Sequence, residues 1–373
     1  MMFKGEATHR GMGRFRLWIF QVNIRKLKVI MNAKKLTLKD VSLALGVSTA
    51  TISNAFNRPN QLSEKLRAHI LSECEKMGFY GPNAAARSLK IGKSGIIGVS
   101  LAERLQYNFS DPIATQFLTG VSEVFDEENI NILLLPSRVG FAESRSFDAY
   151  ADGFIVYGPP KDDEMLARLI RQHKPMVSVD VDIDGVCHIN TDDEGAASLI
   201  SNHTLGQPFK QVCILGLRLT ASPKAEPIHT ADLLDFNMSV SNRRLQGMQN
   251  VIKAKTGHFL QDKHIWNVPD NAFDDAYQAA KQALKTSKPD VILCMSDVIA
   301  LGTIQACQDA GLSVPNDVRV SGFDDIPQAE TAGLTTIHQA QREKGRLAAY
   351  MILGKEPLKS CVIDSELKVR TSA

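Results

Sequence analysis

The chain has 373 residues and 44 % apolar content, enough for two or three domains with sizeable cores, and no apolar run approaches the length of a membrane span. Six cysteines, at positions 74, 187, 213, 294, 307 and 361, show neither CxxC pairs nor zinc-type His/Cys spacing. That usage argues against a disulfide framework or a metal centre and for a reducing compartment. The net charge of +2 conceals a split: residues 1–93 hold 17 Lys/Arg and 5 Asp/Glu, the remainder 26 and 36. A basic head that meets a polyanion therefore precedes an acidic body that does not.

Residues 1–35 read as a basic, partly apolar extension: a start codon placed too early, with Met31 as the true start, or a disordered arm. The longest uncharged run in its first thirty residues, Leu17 to Ile24, has eight residues, too short for a secretory core, so a cytoplasmic protein is expected.

From 36 to 80 the pattern is a helix-turn-helix domain. Thr37 can cap a helix whose apolar positions Leu38, Val41 and Leu45 recur at helical spacing. Gly46 breaks it, and Ser48 caps a second helix, Thr49 to Phe56, with Ile52 and Phe56 turned inward. A third helix, Ser63 to Met77, carries Leu66, Ile70, Cys74 and Met77 on one face. Two short helices joined by a Gly-Val-Ser turn and braced by a third form the unit that enters a DNA major groove. The outward face of the second helix suits that task, because short polar side chains let the backbone approach closely. Ser48, Thr51, Ser53 and Asn57 fit phosphate contact, and Thr49, Ala50 and Asn54 fit base-edge contact. Thr37 and Leu38 complete the DNA-facing set at the opening of the first helix.

The blocks "TLKDVSLALGVSTATISNAFN", "YGPNAAARSLKIGKSGIIGV", "NRRLQGM", "SDVIALG", "VSGFDDIP", "LTTIHQ" and "SELKVRTS" occur in this order. On these motifs the chain resembles the lactose- and purine-repressor (LacI/GalR-type) family of bacterial transcription regulators, from Thr37 to the C-terminus. One departure is Ser42, where the family's first helix usually has Ala. Residues 81–93 correspond to the family's hinge helix and linker. The helical part, Asn83–Leu89, is barely two turns long and too short to be stable alone in water, so it should fold only against DNA and its dimer mate. The resemblance implies that Leu89 is an apolar wedge in the minor groove at the operator centre, with Asn83 and Ala86 beside it and Tyr80 near the backbone. "IGKS" at 91–94 imitates a phosphate-binding loop, but the glycine needed five residues earlier is Arg87.

Residues 94–373 alternate buried-strand runs with helices: "GIIGVSL", "INILLLP", "DGFIVYG", "KPMVSVD", "QVCILGL", "DVILCMS" and "DVRVSGF", with a helix at Pro112–Glu128. The expected fold is an α/β effector-binding and dimerisation domain of two subdomains with parallel sheets, following the all-α helix-turn-helix head and hinge helix. The family's periplasmic-binding-protein-like architecture places a cleft between the subdomains, with the chain crossing near 207 and 338. Ligands in such folds sit at the carboxyl ends of strands, which points to Ser100–Leu101, Ser296–Asp297, Phe323–Asp324 and the loop at Asp111.

By resemblance, Arg244 in "RLQG" grips effector hydroxyls or a carboxylate, Asp324 in "GFDD" accepts from hydroxyls, and Ser296 and Phe323 line the site. Asp192 either lines the cleft or caps the helix after it. Asp297 fits a helix N-cap better than a ligand, Asp325 fits a loop brace, and Phe273 fits cleft or core equally. The chain is short between Leu135 and Asp152, implying a stunted helix, and long between Leu217 and Arg244, implying a flap at the cleft or dimer edge.

The function expected is sequence-specific DNA binding by a repressor whose affinity for a palindromic operator is set by a small polar metabolite, a sugar being favoured. The partners are double-stranded DNA, the effector and a second copy in a homodimer. No membrane, cofactor, metal or catalytic centre is expected. Effector binding changes the angle between subdomains and hence the spacing of the hinges, a coupling typically worth about 1–3 kcal/mol. An inducer and a corepressor fit equally. A periplasmic solute-binding protein would lack the helix-turn-helix, and a nucleoid-type binder would leave the acidic cleft domain unexplained.

Overall fold

The computed structural model describes residues 36–81, 92–136, 147–160, 163–234 and 240–373. The chain divides into two units, residues 1–90 and 91–373, each with its own core.

In the first unit α1 (Leu38–Leu45) opens with a reciprocal cap. The Thr37 hydroxyl accepts from the Asp40 N–H, and the Asp40 carboxylate accepts from the Thr37 N–H at 2.9 Å. Gly46 ends the helix at φ 65°, a left-handed conformation in which a side chain would be strained. The Ser48 hydroxyl accepts from the Thr51 N–H at 3.0 Å and starts α2 (Thr49–Asn57). A 3₁₀ turn at Pro59–Gln61 leads to Ser63, the cap of α3 (Glu64–Lys76). Val41, Ile52, Ala55, Ile70, Cys74 and Phe79 form the buried centre, with Phe56 packed edge-on against Phe79. Leu66, assigned to the inward face by its spacing, is instead 37 % exposed. Leu62 from the preceding turn and Leu71 pack against the core instead.

The second unit contains two sheets and a small strand pair. The first sheet runs β12-β5-β4-β3-β1-β2, with every neighbouring pair parallel: β1 (Ile96–Leu101), β2 (Asn131–Pro136), β3 (Gly153–Tyr157), β4 (Met176–Val179), β5 (Cys187–Thr191) and β12 (Cys361–Ile363). The second runs β10-β9-β6-β8-β7, with β6 (Val212–Leu217), β8 (Ile265–Val268), β9 (Val291–Cys294) and β10 (Arg319–Ser321) parallel. Its edge strand β7 (Glu226–Pro227) is antiparallel to β8. β11 (Thr336–His338) and β13 (Glu366–Lys368) pair separately, antiparallel. The helices, in chain order, are α4 (Leu105–Ser110), α5 (Pro112–Glu127), α6 (Asp163–Ile170), α7 (Asp193–Thr204), α8 (Val240–Thr256), α9 (Phe273–Ser287), α10 (Asp297–Asp309), α11 (Pro327–Thr331) and α12 (Gln341–Ile352).

The doubly wound α/β expectation holds, and the seven buried-strand runs lie in strands. β5 and β8 escaped it: the first reads CHINT, with polar residues at the end that approaches the cleft, and the second is only four residues long. Among the described residues the chain crosses between the two lobes three times. The first crossing falls at 191–193 rather than near 207, because α7 packs against α8 and the second sheet, not against the first. The second lies between His338 and Gln341. A third, not anticipated, follows β12, whose three residues carry no periodicity. The C-terminus is then pinned to the second lobe, where the Ser372 hydroxyl donates to the Val320 carbonyl at 2.6 Å.

The long segment after Leu217 contributes β7 and a 3₁₀ turn at Thr230–Asp232, so its described part is a sheet edge rather than a flap. Buried Asn267 holds it, donating to the Ser222 and Lys224 carbonyls at 3.1 Å each. Of the segment between Leu135 and Asp152, the described part outside β2 is a single 3₁₀ turn, Phe147–Tyr150; the expected stunted helix otherwise lies outside the described residues.

Candidate functional site

Two surfaces emerge, one on each unit. On the first unit α2 has no acidic residue in its opening turn and presents Thr49, Ala50 and Asn57 to solvent, with Thr51, Ser53 and Asn54 half-buried. The positive end of its dipole and its short polar side chains suit a phosphate backbone. The face is held stiffly. Ser48 and Thr51 share a hydroxyl–hydroxyl bond of 2.8 Å, and the Asn57 amide donates to the Ser53 carbonyl at 2.9 Å. The Ser42 hydroxyl donates to the Val47 carbonyl at 2.6 Å across the turn, and Arg67 ties α3 to the Ala55 carbonyl at 3.0 Å. The serine that departs from the usual alanine thus adds a bond.

On the second unit the carboxyl ends of the two sheets meet. Glu103, after β1, pairs with Arg218, after β6, and Arg218 also bonds Asp270 at 3.0 Å. The Asn271 amide reaches Asp111 at 3.4 Å and accepts from the Ser296 hydroxyl at 2.6 Å. Deeper in, the Arg244 guanidinium lies 3.8 Å from the centre of the Phe323 ring. It donates to Asp193 at 3.0 Å and to the Met295 carbonyl at 2.8 Å, with Asp324 at 3.7 Å. Arg243 takes the second Asp193 oxygen at 3.1 Å. The segment returning to the first lobe adds Gln339, donating to Asp324 at 2.5 Å, and Gln341, donating to Asp180 at 3.2 Å. The Lys344 ammonium, fully buried, donates to Asp180 at 2.5 Å.

This is a largely buried site rich in carboxylates. Burial pushes the Asp111 carboxyl above its ordinary value, against backbone N–H groups that hold it down. Burial raises Asp324 well above the usual range despite Arg244. The Tyr157 phenol, at the end of β3, is also driven up by burial, with Asp180, Asp111 and Asp324 adding to the effect. Asp324 has φ 127°, a region that L residues rarely occupy, so the loop bearing it is strained at the site. The arrangement offers many acceptors, one stacked cation and an aromatic face. Such a set can hold a small polar molecule, and among the described residues it pairs no nucleophile with a base.

Comparison with known proteins gives the chain its family. A periplasmic binding protein-like domain matches residues 233–372. An HTH-type transcriptional regulator of Mycobacterium tuberculosis is 31 % identical over 345 residues, covering 90 % of this chain and 96 % of its own length. The chain belongs to the LacI-type family of helix-turn-helix transcriptional regulators. The crystal structure of a LacI-family regulator from Corynebacterium glutamicum superposes with a TM-score of 0.64 at 25 % identity, covering 91 % of this chain and 100 % of that one. A CelR–cellobiose complex shares the fold, with a TM-score of 0.62 at 22 % identity and coverage of 91 % and 100 %.

Within this LacI-type regulator the residues singled out from sequence fall into three groups. Arg244, in the first turns of α8, meets Phe323 and Asp324 after β10, and Asn271 links Ser296, after β9, to Asp111 at the start of α5. Asp192 does not join them: it is exposed and caps α7 by accepting from the Gly195 N–H at 2.9 Å, while its neighbour Asp193 turns inward. Ser296, not Asp297, caps α10. Asp297 is a buried brace that accepts from the Thr336 hydroxyl at 2.5 Å and the Ile326 N–H at 2.9 Å. Asp325 braces its loop through His338 at 3.0 Å and Arg370 at 2.7 Å. Phe273 is half-exposed at the start of α9, not core.

On the first unit Thr37 is exposed, Tyr80 is 82 % exposed, and Leu38 packs against the three-helix core. Asn83, Ala86 and Leu89 lie outside the described residues. Sequence reasoning missed Asp180, Asp193, Gln339, Gln341 and Lys344. One signal was available: Lys344 lies four residues before Ala348, on the apolar stripe of α12, where a lysine needs a buried partner. Among the described residues no His, Cys, Asp and Glu group could hold a metal ion, and no helix is long and apolar enough to cross a membrane.

Proposed function

We propose that this regulator is a cytoplasmic repressor that binds a palindromic operator as a homodimer through α2, under the control of a small polar effector of the sugar type held between the two lobes. The observation that carries the effector half is the Arg244, Asp193, Phe323 and Asp324 constellation. A stacked cation, a ring and buried carboxylates at the helix starts and strand end of the second lobe suit hydroxyls that must both donate and accept. The cellobiose held by CelR, a protein of the same fold, supports that class. The DNA half rests on α2: Thr49, Ala50 and Asn54 read base edges, and Ser48, Thr51, Ser53 and Asn57 hold phosphates. Residues 81–93 serve as the hinge, with Leu89 the wedge that kinks the operator centre.

The effector changes the lobe angle, and so shifts the population of hinges able to fold on DNA. The test is selection of genomic fragments by the purified regulator at physiological salt, with and without pentoses, hexoses and cellobiose. The expected result is one short palindrome whose recovery changes with a sugar. Recovery of only salt-sensitive, sequence-independent DNA would refute it. Leu89→Ala should weaken operator binding and leave non-specific binding unchanged; equal operator binding by the variant rules out the wedge.

A further inference from the structure

The segment returning to the first lobe carries an acceptor that the fold leaves without a donor. The Gln341 side chain is 3 % exposed. Its Nε2 donates to Asp180 Oδ2 at 3.2 Å and points at Gln339 Oε1 at 3.4 Å, two atoms that only accept. Turning the amide over would set its oxygen against both, so its neighbours dictate its orientation. Gln341 Oε1 is then buried with no hydrogen-bond partner. Asn190 Oδ1 and Thr191 Oγ1 share this condition at the end of β5, the strand that pairs with β4 beside Asp180.

Buried polar atoms left unsatisfied are rare in native proteins and call for an explanation. Among the described residues the nearby cations are turned to other partners and not to these atoms. Lys344 is held by Asp180, Arg244 by Asp193 and the Met295 carbonyl, and Arg218 by Glu103 and Asp270. An anionic ligand would compete with the buried carboxylates of Asp180, Asp193 and Asp324 for Lys344 or Arg244 and lie close to their charge. A ligand rich in O–H donors would satisfy the orphan acceptors and disturb neither pair.

We propose that Gln341 is a specificity-determining contact for the effector, and that the cleft selects an uncharged polyol over sugar phosphates and sugar acids. This rests on the reading of the cleft as an effector site. The Gln341 oxygen accepts one ligand hydroxyl, and the Asp180–Lys344 pair holds the amide in place from behind.

The test is calorimetric titration of the full chain with pentoses, hexoses, inositol and cellobiose, each beside its phosphorylated or carboxylated counterpart where one exists. At least one neutral compound should bind, and its anionic counterpart at least 100-fold more weakly. Gln341→Met should weaken the neutral compound at least tenfold. Monodeoxy analogues extend the test to the unmodified chain: one of them should lose affinity for the parent and lose nothing further on Gln341→Met. Equal or tighter binding of an anion overturns the charge selection while leaving an effector site in place. Unchanged affinity of Gln341→Met overturns the residue's role. If no compound of either charge binds or alters operator affinity, the effector reading fails, and this inference with it.

Discussion

Arg244 and Asp193 form an ion pair at 3.0 Å with only 8 % and 2 % of their side chains exposed, linking the first turn of α7 to α8. Taking one partner from a buried pair leaves an uncompensated charge, which typically costs about 3–5 kcal/mol. Asp193→Ala should therefore destabilise the chain by roughly that amount in urea unfolding and abolish the effector response. Its neighbour Asp192 offers the contrast. Asp192→Ala removes only a helix cap, a loss of about 1 kcal/mol, and should keep the response. Equal losses from the two substitutions would contradict this division.

Helices α5 and α12 meet backbone to backbone. A Cβ on Gly120 would collide with the Arg342 carbonyl oxygen, and one on Gly345 with the Phe117 carbonyl oxygen. Neither obstacle is a flexible side chain that could swing aside. Gly345→Ala should cost about 1–3 kcal/mol or more, although alanine favours an isolated helix by about 1 kcal/mol. Thermal unfolding checks the sign, and a stabilised variant would contradict the close approach.

Asp297 makes stability depend on pH in the less common direction for an aspartate. Burial lifts its carboxyl to about 6, against the Thr336 and Ile326 bonds that favour ionisation. A folded-state value above the unfolded one means that the folded chain holds the proton more tightly. The group's stabilising contribution is thus complete below the unfolded value, about 3.9, and is lost as pH rises through about 6. Asp297→Asn removes that dependence. The difference in unfolding free energy between variant and parent should move in the variant's favour, by about 2 kcal/mol, between pH 4.5 and 7.5. A difference that is flat with pH would show that Asp297 does not titrate in this way.

Asn54 lies in α2 and Ser48 caps it, and the proposed DNA contacts give the two different roles. Asn54→Ala should remove about 1–3 kcal/mol of discrimination at one base position of each half-site, read as relaxed choice in a binding selection. Ser48→Ala loses a cap bond to Thr51, so it should weaken all sequences together and leave the preferred bases unchanged. A change in base preference from Ser48→Ala would reverse the assignment.

The described part of the first unit, residues 36–81, was almost wholly legible before folding. Its caps at Thr37, Ser48 and Ser63, its Gly46 stop and its inward positions each depend on residues within about one helical turn. The exception was Leu66, whose spacing suited burial but which no neighbouring element covers. In the second unit the strongly apolar strands were equally plain, because continuous apolar runs must be buried wherever they lie.

What only the tertiary structure decided was which polar side chain faces which. Adjacent aspartates at 192 and 193 are alike in sequence, and the direction in which α7 leaves β5 turns one to solvent and the other to Arg244. Lys344 finds Asp180 across 164 residues, and Gln341 is oriented by that same carboxylate. Periodicity and capping are local, and the chain states them directly. The pairing of buried charges depends on where two lobes and three crossings bring distant strand ends together, and no short stretch of sequence contains that distance.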